Sequence, residues 1–179
     1  MLEGKNVNLR VVEKEDLPLV LAWFNNVDFN GTYDPLDAQQ SKADIEKEYD
    51  KLGPEEKWFF IEKKDGTKVG FIGTHIYGEL EIGYAITASE RGKGYCTEAV
   101  KIMVDYLFMS KDRVRLQSAT NSENKASQRV LEKAGFQREG VIRKGLFVWG
   151  KWSDLYVYGI LREEWREPRI LHNSGMEVC

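Results

Sequence analysis

Leu80-Glu81-Ile82-Gly83-Tyr84-Ala85-Ile86 leads through Ser89-Glu90 into Arg91-Gly92-Lys93-Gly94-Tyr95-Cys96-Thr97, and from there into a long apolar-periodic segment ending at Met109. The first part reads as a β-strand. In the last part Cys96, Ala99, Val100, Met103, Val104 and Leu107 recur at helical spacing, so Tyr95 to Met109 reads as an amphipathic helix with one face on a sheet. A strand, a glycine loop and a helix in succession make an anion site. The first helical turn carries N–H groups without intrahelical partners at the positive end of the macrodipole, and Gly92 and Gly94 allow a phosphate close to the backbone. By itself a glycine pair before a helix is equally a tight turn. Two familiar phosphate loops are excluded by the letters. Gly94 is followed by Tyr95 where a P-loop needs Lys-Ser or Lys-Thr, and Thr97 stands where a dinucleotide fingerprint needs its third glycine.

Upstream, Trp58 to Glu62 and Lys68 to Ile76 are β-rich runs separated by a turn containing Asp65-Gly66. A second turn, Tyr77-Gly78-Glu79, connects them to Leu80 to Ile86, which predicts a three-stranded antiparallel meander. Val7 to Val12 reads as an earlier strand, and Asp16 precedes a helix from Leu17 to Asn25 with Pro18 in its first turn. Asn26 to Gln40 is polar and turn-rich. Ser41-Lys42-Ala43-Asp44 then resembles a capping box, opening a helix that Gly53-Pro54 ends; these helices are expected to be mobile and near a substrate entrance. Downstream follow a strand at Val114 to Thr120 and a helix at Lys125 to Ala134. Gly135 is placed to close that helix in the left-handed conformation, with Phe136 folding back near Leu131. Phe136 to Val141, Gly145 to Trp149 and Asp154 to Leu161 read as β segments, with Gly150-Lys151 at a turn. One domain is expected over 1–167, followed by a polar, frayed tail over 168–179.

The chain has 179 residues, with 26 basic against 29 acidic side chains and a net charge of -3, so no bulk positive field suggests a nucleic-acid partner. No apolar run reaches the roughly 20 residues of a membrane span, and no signal-peptide core opens the chain, so a cytoplasmic protein without a membrane partner is expected. Cys96 and Cys179 have no metal-ligand spacing, and His75 and His172 are the only histidines. A metal site, a structural disulfide and a Ser-His-Asp triad are therefore not expected.

Arg91-Gly92-Lys93-Gly94-Tyr95-Cys96 resembles the Arg/Gln-x-x-Gly-x-Gly/Ala loop of the GNAT superfamily of acyl-CoA N-acyltransferases. Cys96 departs from the usual Gly or Ala but stays small. Asn124-Lys125-Ala126-Ser127, continuing through Arg129 to Phe136 and on to Glu139-Gly140, resembles the RimJ/RimL-like branch, whose members acetylate protein N-termini and other amines. The resemblance runs from about Val7 to Trp165. It implies an α+β fold of three layers, α/β/α, with a mixed, mostly antiparallel central sheet flanked by helices. It implies acetyl-CoA as cosubstrate, with no metal. The pantetheine arm would lie beside Gly83, Tyr84, Ala85 and Ile86, with a bulge at Gly83, and the pyrophosphate on the N–H groups of Arg91, Gly92, Lys93, Gly94, Tyr95, Cys96 and Thr97. A backbone N–H near Tyr84 or Ala85 would hold the oxyanion formed when a neutral amine attacks the thioester.

Many members place a tyrosine donor where this chain has Leu131. In RimJ/RimL-like sequences the serine of Asn-x-x-Ser is the proposed donor, which makes Ser127 the general acid or thiolate stabiliser, with Asn124 orienting the pantetheine. The bland alternative is that Asn124 caps the helix and Ser127 is a solvated first-turn residue. Glu81 and Asp154 are the two candidate bases, each through water, and either is equally a surface charge. Lys133 can reach phosphate, as can Lys111, Arg113 and Arg115, which the resemblance sets near the adenine and 3′-phosphate end. The acceptor implied is a protein or peptide N-terminal α-amine of ribosomal-protein type. A small amine (polyamine, aminoglycoside or amino acid) and a non-catalytic acyl-CoA-binding module are the alternatives. A homodimer is compatible with this reading.

Overall fold

Apolar residues run consecutively along the central strands, as in Phe59-Phe60-Ile61, and point alternately to the two faces, so both faces of one sheet are buried and helices cover both sides. In this computed structural model, which describes residues 1–35, 39–166, 168, 170 and 171, the sheet has eight strands. In chain order the elements are β1 (Leu2–Glu3), β2 (Val7–Val11), α1 (Leu17–Phe24), α2 (Val27–Asn30), α3 (Lys42–Asp50), β3 (Trp58–Lys63), β4 (Lys68–Tyr77), β5 (Glu79–Ile86), α4 (Tyr95–Ser110), β6 (Arg115–Asn121), α5 (Lys125–Ala134), β7 (Gln137–Val148) and β8 (Lys151–Leu161). The spatial order is β1-β2-β3-β4-β5-β6-β8-β7. Every neighbouring pair is antiparallel except β5 and β6. This is the mixed, mostly antiparallel α+β sheet expected.

On one face Val7, Leu9, Ile61 and Ile72 share a core with Val100, Met103 and Leu107 of α4 and Leu131 of α5. On the other, Phe60 and Phe71 share a core with Val20 of α1, Phe29 of α2 and Ile45 of α3. Burial of side chains this size stabilises by about 1.5–3 kcal/mol each, so the two cores together fix both helical layers to the sheet.

Polar contacts set how α4 lies. At its start the Glu98 carboxylate accepts from the N–H of Asn6 (2.6 Å) and of Val7 (3.2 Å) and from Asn6 Nδ2 (2.7 Å), tying the β1–β2 turn to the first helical turn. At its end Arg162 donates to the carbonyls of Phe108 (2.9 Å) and Arg113 (2.8 Å), a cation where the macrodipole is negative. Midway the buried Asp105 accepts from Trp165 Nε1 (2.8 Å) and from the N–H of Ile170 (2.8 Å) and Leu171 (3.2 Å). The tail expected to fray after Trp165 is thus pinned to α4 at 170 and 171. Residues 172–179, with His172 and Cys179, lie outside the described residues.

Other expectations changed at element boundaries. The polar segment after Asn25 holds α2, started by Asn26, whose Oδ1 accepts from Asp28 N (2.8 Å) and Phe29 N (3.2 Å). The two β segments expected over 136–149 are one strand, β7, whose register against β8 shifts between Arg138 and Gly140 and between Ile142 and Leu146. β8 begins at Lys151 rather than Asp154, after a turn in which Trp149 (φ 49) and Gly150 (φ 78) are both left-handed. The Lys125–Ala134 helix has the expected bounds, with Gly135 at φ 101 and the Phe136 N–H on the Leu131 carbonyl (3.0 Å). Among the described residues no helix is long and apolar enough to cross a membrane.

Candidate functional site

β5 and β6 run parallel but pair only at Glu81 opposite Gln117. Beyond that point no residue of β6 pairs with β5, and the gap this leaves on the β6 side of residues 83–86 is the candidate cleft. Which backbone groups face it follows from the strand's alternation. Thr87 N–H bonds to the Val69 carbonyl of the β4 side (2.9 Å), whereas the Ile82 carbonyl accepts from Ser118 Oγ of β6 (2.8 Å). Stepping by two, Gly83 and Ala85 turn their peptide groups to β4, opposite Gly73 and Phe71, and Tyr84 and Ile86 turn theirs into the cleft. The two oxyanion candidates are thereby separated: the Ala85 N–H belongs to the β4 ladder, and the Tyr84 N–H points into the opening. The bulge expected at Gly83 is absent, because the β4–β5 register runs unbroken from Gly70 opposite Ile86 to Tyr77 opposite Glu79. The cleft comes from β6 turning away.

β5 ends in the glycine loop. Gly92 (φ 77) and Gly94 (φ 86) are left-handed, and a Cβ built on either meets no atom within 4 Å, so the backbone there faces open space. α4 starts with no side-chain cap. Its first intrahelical bond is from Glu98 N–H to the Gly94 carbonyl (3.1 Å), which leaves the N–H groups of Tyr95, Cys96 and Thr97 ahead of the ladder. These residues fit a diphosphate. Beside them a cavity of about 880 Å³ is lined by Gly94, Thr97, Lys101, Lys133, Lys5 and Leu171. Of the basic candidates Lys133 is beside the loop, and the Glu3 and Glu98 carboxylates line the same cavity.

Several basic groups are placed otherwise. Lys111, Arg113 and Arg115 follow the far end of α4, about 24 Å from its start for 16 residues at about 1.5 Å each. There Arg113 pairs with Glu55 and Arg115 with Glu139 (2.5 Å), so these two cations already have carboxylate partners. Lys93 bonds to Glu90 (3.0 Å). Arg91 turns back from the loop: its Nη2 donates to the carbonyls of Asp28 (2.6 Å) and Phe29 (3.1 Å), and its Nε to that of Ile86 (3.4 Å). This side chain fastens the glycine loop to the α1–α3 layer. Cys96 packs against the core, and burial pushes its thiol up to about 12.

Ser127 comes to the cleft from α5. Asn124 Oδ1 accepts from Ser127 N–H (3.0 Å), so Asn124 caps the helix and fixes where Ser127 stands. The Ser127 hydroxyl is not a solvated first-turn group. It lies 2.9 Å from the phenolic oxygen of Tyr84, which reaches across from β5 and also comes within 3.3 Å of the Ser127 carbonyl. Burial drives the Tyr84 phenol well above the usual tyrosine range, so it stays protonated and able to donate. Sequence reasoning missed this pairing.

Glu81 and Asp154 differ sharply. Glu81, with 15% of its side chain exposed, lies 3.5 Å from His75 Nε2 and accepts from Gln117 Nε2 (3.1 Å). Burial alone would raise its carboxyl, but the hydrogen bonds from His75 and Gln117 outweigh it and hold Glu81 below the usual carboxylate range. His75 was also missed as a partner, although a hairpin centred on Gly78 places residue 75 opposite 81. Asp154 sits on β8, where its Oδ1 accepts from Lys144 N–H (2.9 Å), with Lys144 at φ 51 in the irregular part of β7. That carboxylate steadies a bulge.

The profile of the acetyltransferase (GNAT) domain matches residues 6–137. The probable N-acetyltransferase YjcK of Bacillus subtilis is 32% identical over 178 residues, covering 92% of this chain and 98% of the relative. The spermidine N(1)-acetyltransferase of Escherichia coli K12 is 28% identical, covering 86% of this chain and 85% of the relative. Among solved structures, spermidine N-acetyltransferase from Vibrio cholerae in complex with CoA and spermine superposes with a TM-score of 0.79 at 22% identity, covering 89% of this chain and 98% of that one.

Proposed function

Since the chain belongs to the acetyltransferase (GNAT) domain family and is an N-acetyltransferase of that type, we propose that its acceptor is a free α-amine of a protein or peptide, of the ribosomal-protein kind that the RimJ/RimL-like resemblance implies. The observation that carries this reading is how the candidate base is held: the Glu81 carboxylate lies 3.5 Å from His75 Nε2 and accepts from Gln117 Nε2 at 3.1 Å. Glu81 is an acidic group at the last position where β5 pairs with β6, and its hydrogen bonds keep it ionised and reluctant to take a proton; Asp34 is a second carboxylate, near enough to Tyr84 to act on its phenol. Such a group attracts an ammonium and passes its proton to water only when that ammonium is itself fairly acidic. An α-amine titrates near 7.7–8.0 and a lysine side chain near 10.4, so at pH 7 the α-amine offers roughly 300-fold more neutral nucleophile. A weak base suits the α-amine.

Acetyl-CoA supplies the thioester. In this reading the N–H groups of Tyr95, Cys96 and Thr97, approached over Gly92 and Gly94, hold its diphosphate, with Lys133 alongside. The Tyr84 carbonyl and the Ile86 N–H pair with the pantetheine amides, and the Tyr84 N–H faces the developing oxyanion. Asn124 positions Ser127, and Ser127 donates to the departing thiolate. Glu81 orients the amine. Asp154, held on Lys144, keeps the β7–β8 hairpin in shape and is not assigned the base.

A second reading, a polyamine acceptor, is supported by the likeness to the Escherichia coli spermidine enzyme and by the attraction of an ionised Glu81 for a polycation. Competition separates the two. Acetyl-CoA is given together with equal concentrations of a peptide bearing a free α-amine, the same peptide N-terminally blocked with one lysine, and spermidine, and products are located by mass spectrometry. The α-amine product is expected to dominate near pH 7. Acetyl groups on spermidine or lysine alone would overturn the α-amine assignment.

A further inference from the structure

We propose that Tyr84 is a positioning residue for thiolate departure: its hydroxyl donates to Ser127 Oγ and so frees the Ser127 proton to point at the CoA sulfur. The inference rests on the reading of Ser127 as thiolate donor given above. The geometry offers the Tyr84 proton two acceptors, Ser127 Oγ at 2.9 Å and the Ser127 carbonyl at 3.3 Å. These choices have opposite consequences. If Tyr84 donates to the carbonyl, Ser127 Oγ donates back to the phenol and its proton is spent inside the protein. If Tyr84 donates to Ser127 Oγ, the serine proton is free, and donation into a hydroxyl makes that hydroxyl a stronger donor in its turn.

Charge appearing on sulfur as the thioester breaks selects the second arrangement. The amine nitrogen's lone pair forms the new N–C bond, the C–S bond electrons go to sulfur, the Ser127 O–H hydrogen-bonds to that sulfur, and the Tyr84 O–H hydrogen-bonds to Ser127 Oγ. No proton leaves Tyr84, whose buried phenol resists ionisation. The proton that finally neutralises the thiolate comes from the acetylated ammonium by way of water, so the pair acts by hydrogen bonding alone. Two features keep the pair in place. The Asn124 cap fixes Ser127 at the start of α5, and Tyr84 is packed on the core formed with α4 and α5. Leu131 stands where the family resemblance would place a tyrosine donor, and here a phenol reaches the same helix from β5.

The test is a double-mutant cycle on the full chain with whichever amine it acetylates fastest. Tyr84→Phe keeps the ring and removes the hydroxyl; it is expected to lower kcat about 10-fold, with KM for acetyl-CoA and melting temperature close to the parent. Ser127→Ala should lower kcat at least as far. In the Ser127→Ala background, Tyr84→Phe should change kcat less than 2-fold, because the group it acts through is gone. Multiplied effects in the double variant, or a Tyr84→Phe enzyme with parental kcat beside a slow Ser127→Ala enzyme, would refute the Tyr84 assignment and leave the Ser127 reading standing. A Ser127→Ala enzyme with parental kcat removes both. A fall in melting temperature or a rise in KM accounting for the loss in Tyr84→Phe would make the residue structural and overturn the proposal.

Discussion

Replacing Gly94 by glutamate tests the glycine loop at the point where structure and function make separable demands. Gly94 is left-handed (φ 86), and a Cβ there meets nothing within 4 Å, so the new side chain costs backbone strain but no steric clash. That strain is about 1–2 kcal/mol for a non-glycine residue. For a chain of this length a kcal/mol corresponds to roughly 2–4 °C, so Gly94→Glu and Gly94→Ala should both melt about 2–8 °C below the parent and remain folded. Affinity should separate them. A carboxylate about 5 Å from a phosphate charge, at an effective dielectric constant of about 20, is repelled by about 3 kcal/mol, which weakens binding by 100-fold or more. At CoA equal to about 100 times the parental Kd, the parent gains about 2.7 kcal/mol, or roughly 5–11 °C; a Kd raised about 100-fold leaves about 0.4 kcal/mol, or roughly 1 °C. Differential scanning fluorimetry with and without CoA reads both quantities. Gly94→Ala should retain most of the CoA shift, since it carries the strain without the charge. A CoA shift of parental size in a folded Gly94→Glu protein would show that the diphosphate does not lie over this loop.

Further expectations concern titrating groups. Glu81→Gln should lower the acetylation rate of an α-amine peptide and alter its rise between pH 6 and 8, whereas Asp154→Asn should leave that profile's shape intact and cost stability through the Lys144 N–H. Because the folded pKa of Glu81 is depressed, its contribution to stability is present above the unfolded carboxyl value and is lost as pH falls through the folded one; the Glu81→Gln protein should therefore show a weaker loss of stability on acidification. An altered profile in Asp154→Asn with none in Glu81→Gln would exchange the two roles. Cys96, its thiol pushed up to about 12, should alkylate about 1000-fold more slowly at pH 8 in the folded protein than in denaturant, read by mass spectrometry of the Cys96 peptide. Equal rates in the two conditions would contradict its burial.

The parts of this protein legible in its letters are those decided within a few residues of chain. Asp65-Gly66 and Gly78 announce turns because only a left-handed backbone closes them, and Gly135 ends α5 for the same reason. Periodicity alone delimits α4 and places its apolar face, and the glycines before it mark a loop that can approach an anion. Even the His75–Glu81 pairing was present in the hairpin register about Gly78. Other features depend on how layers built from distant segments come to rest. Tyr84 and Ser127 are 43 residues apart and meet because α4 and α5 share one core. Arg91, read as part of a phosphate loop, is drawn back to the carbonyls of α2, 62 and 63 residues away, because those acceptors lie within its reach once the α1–α3 layer is packed. Asp154 reads in sequence like a free carboxylate and is occupied by a bulge that exists only when β7 pairs with β8. The cleft itself arises where β6 leaves β5 after one paired position. Local backbone preference and apolar spacing are properties of short stretches, whereas a side chain's partner is set by packing of both cores against the sheet, which no short stretch encodes.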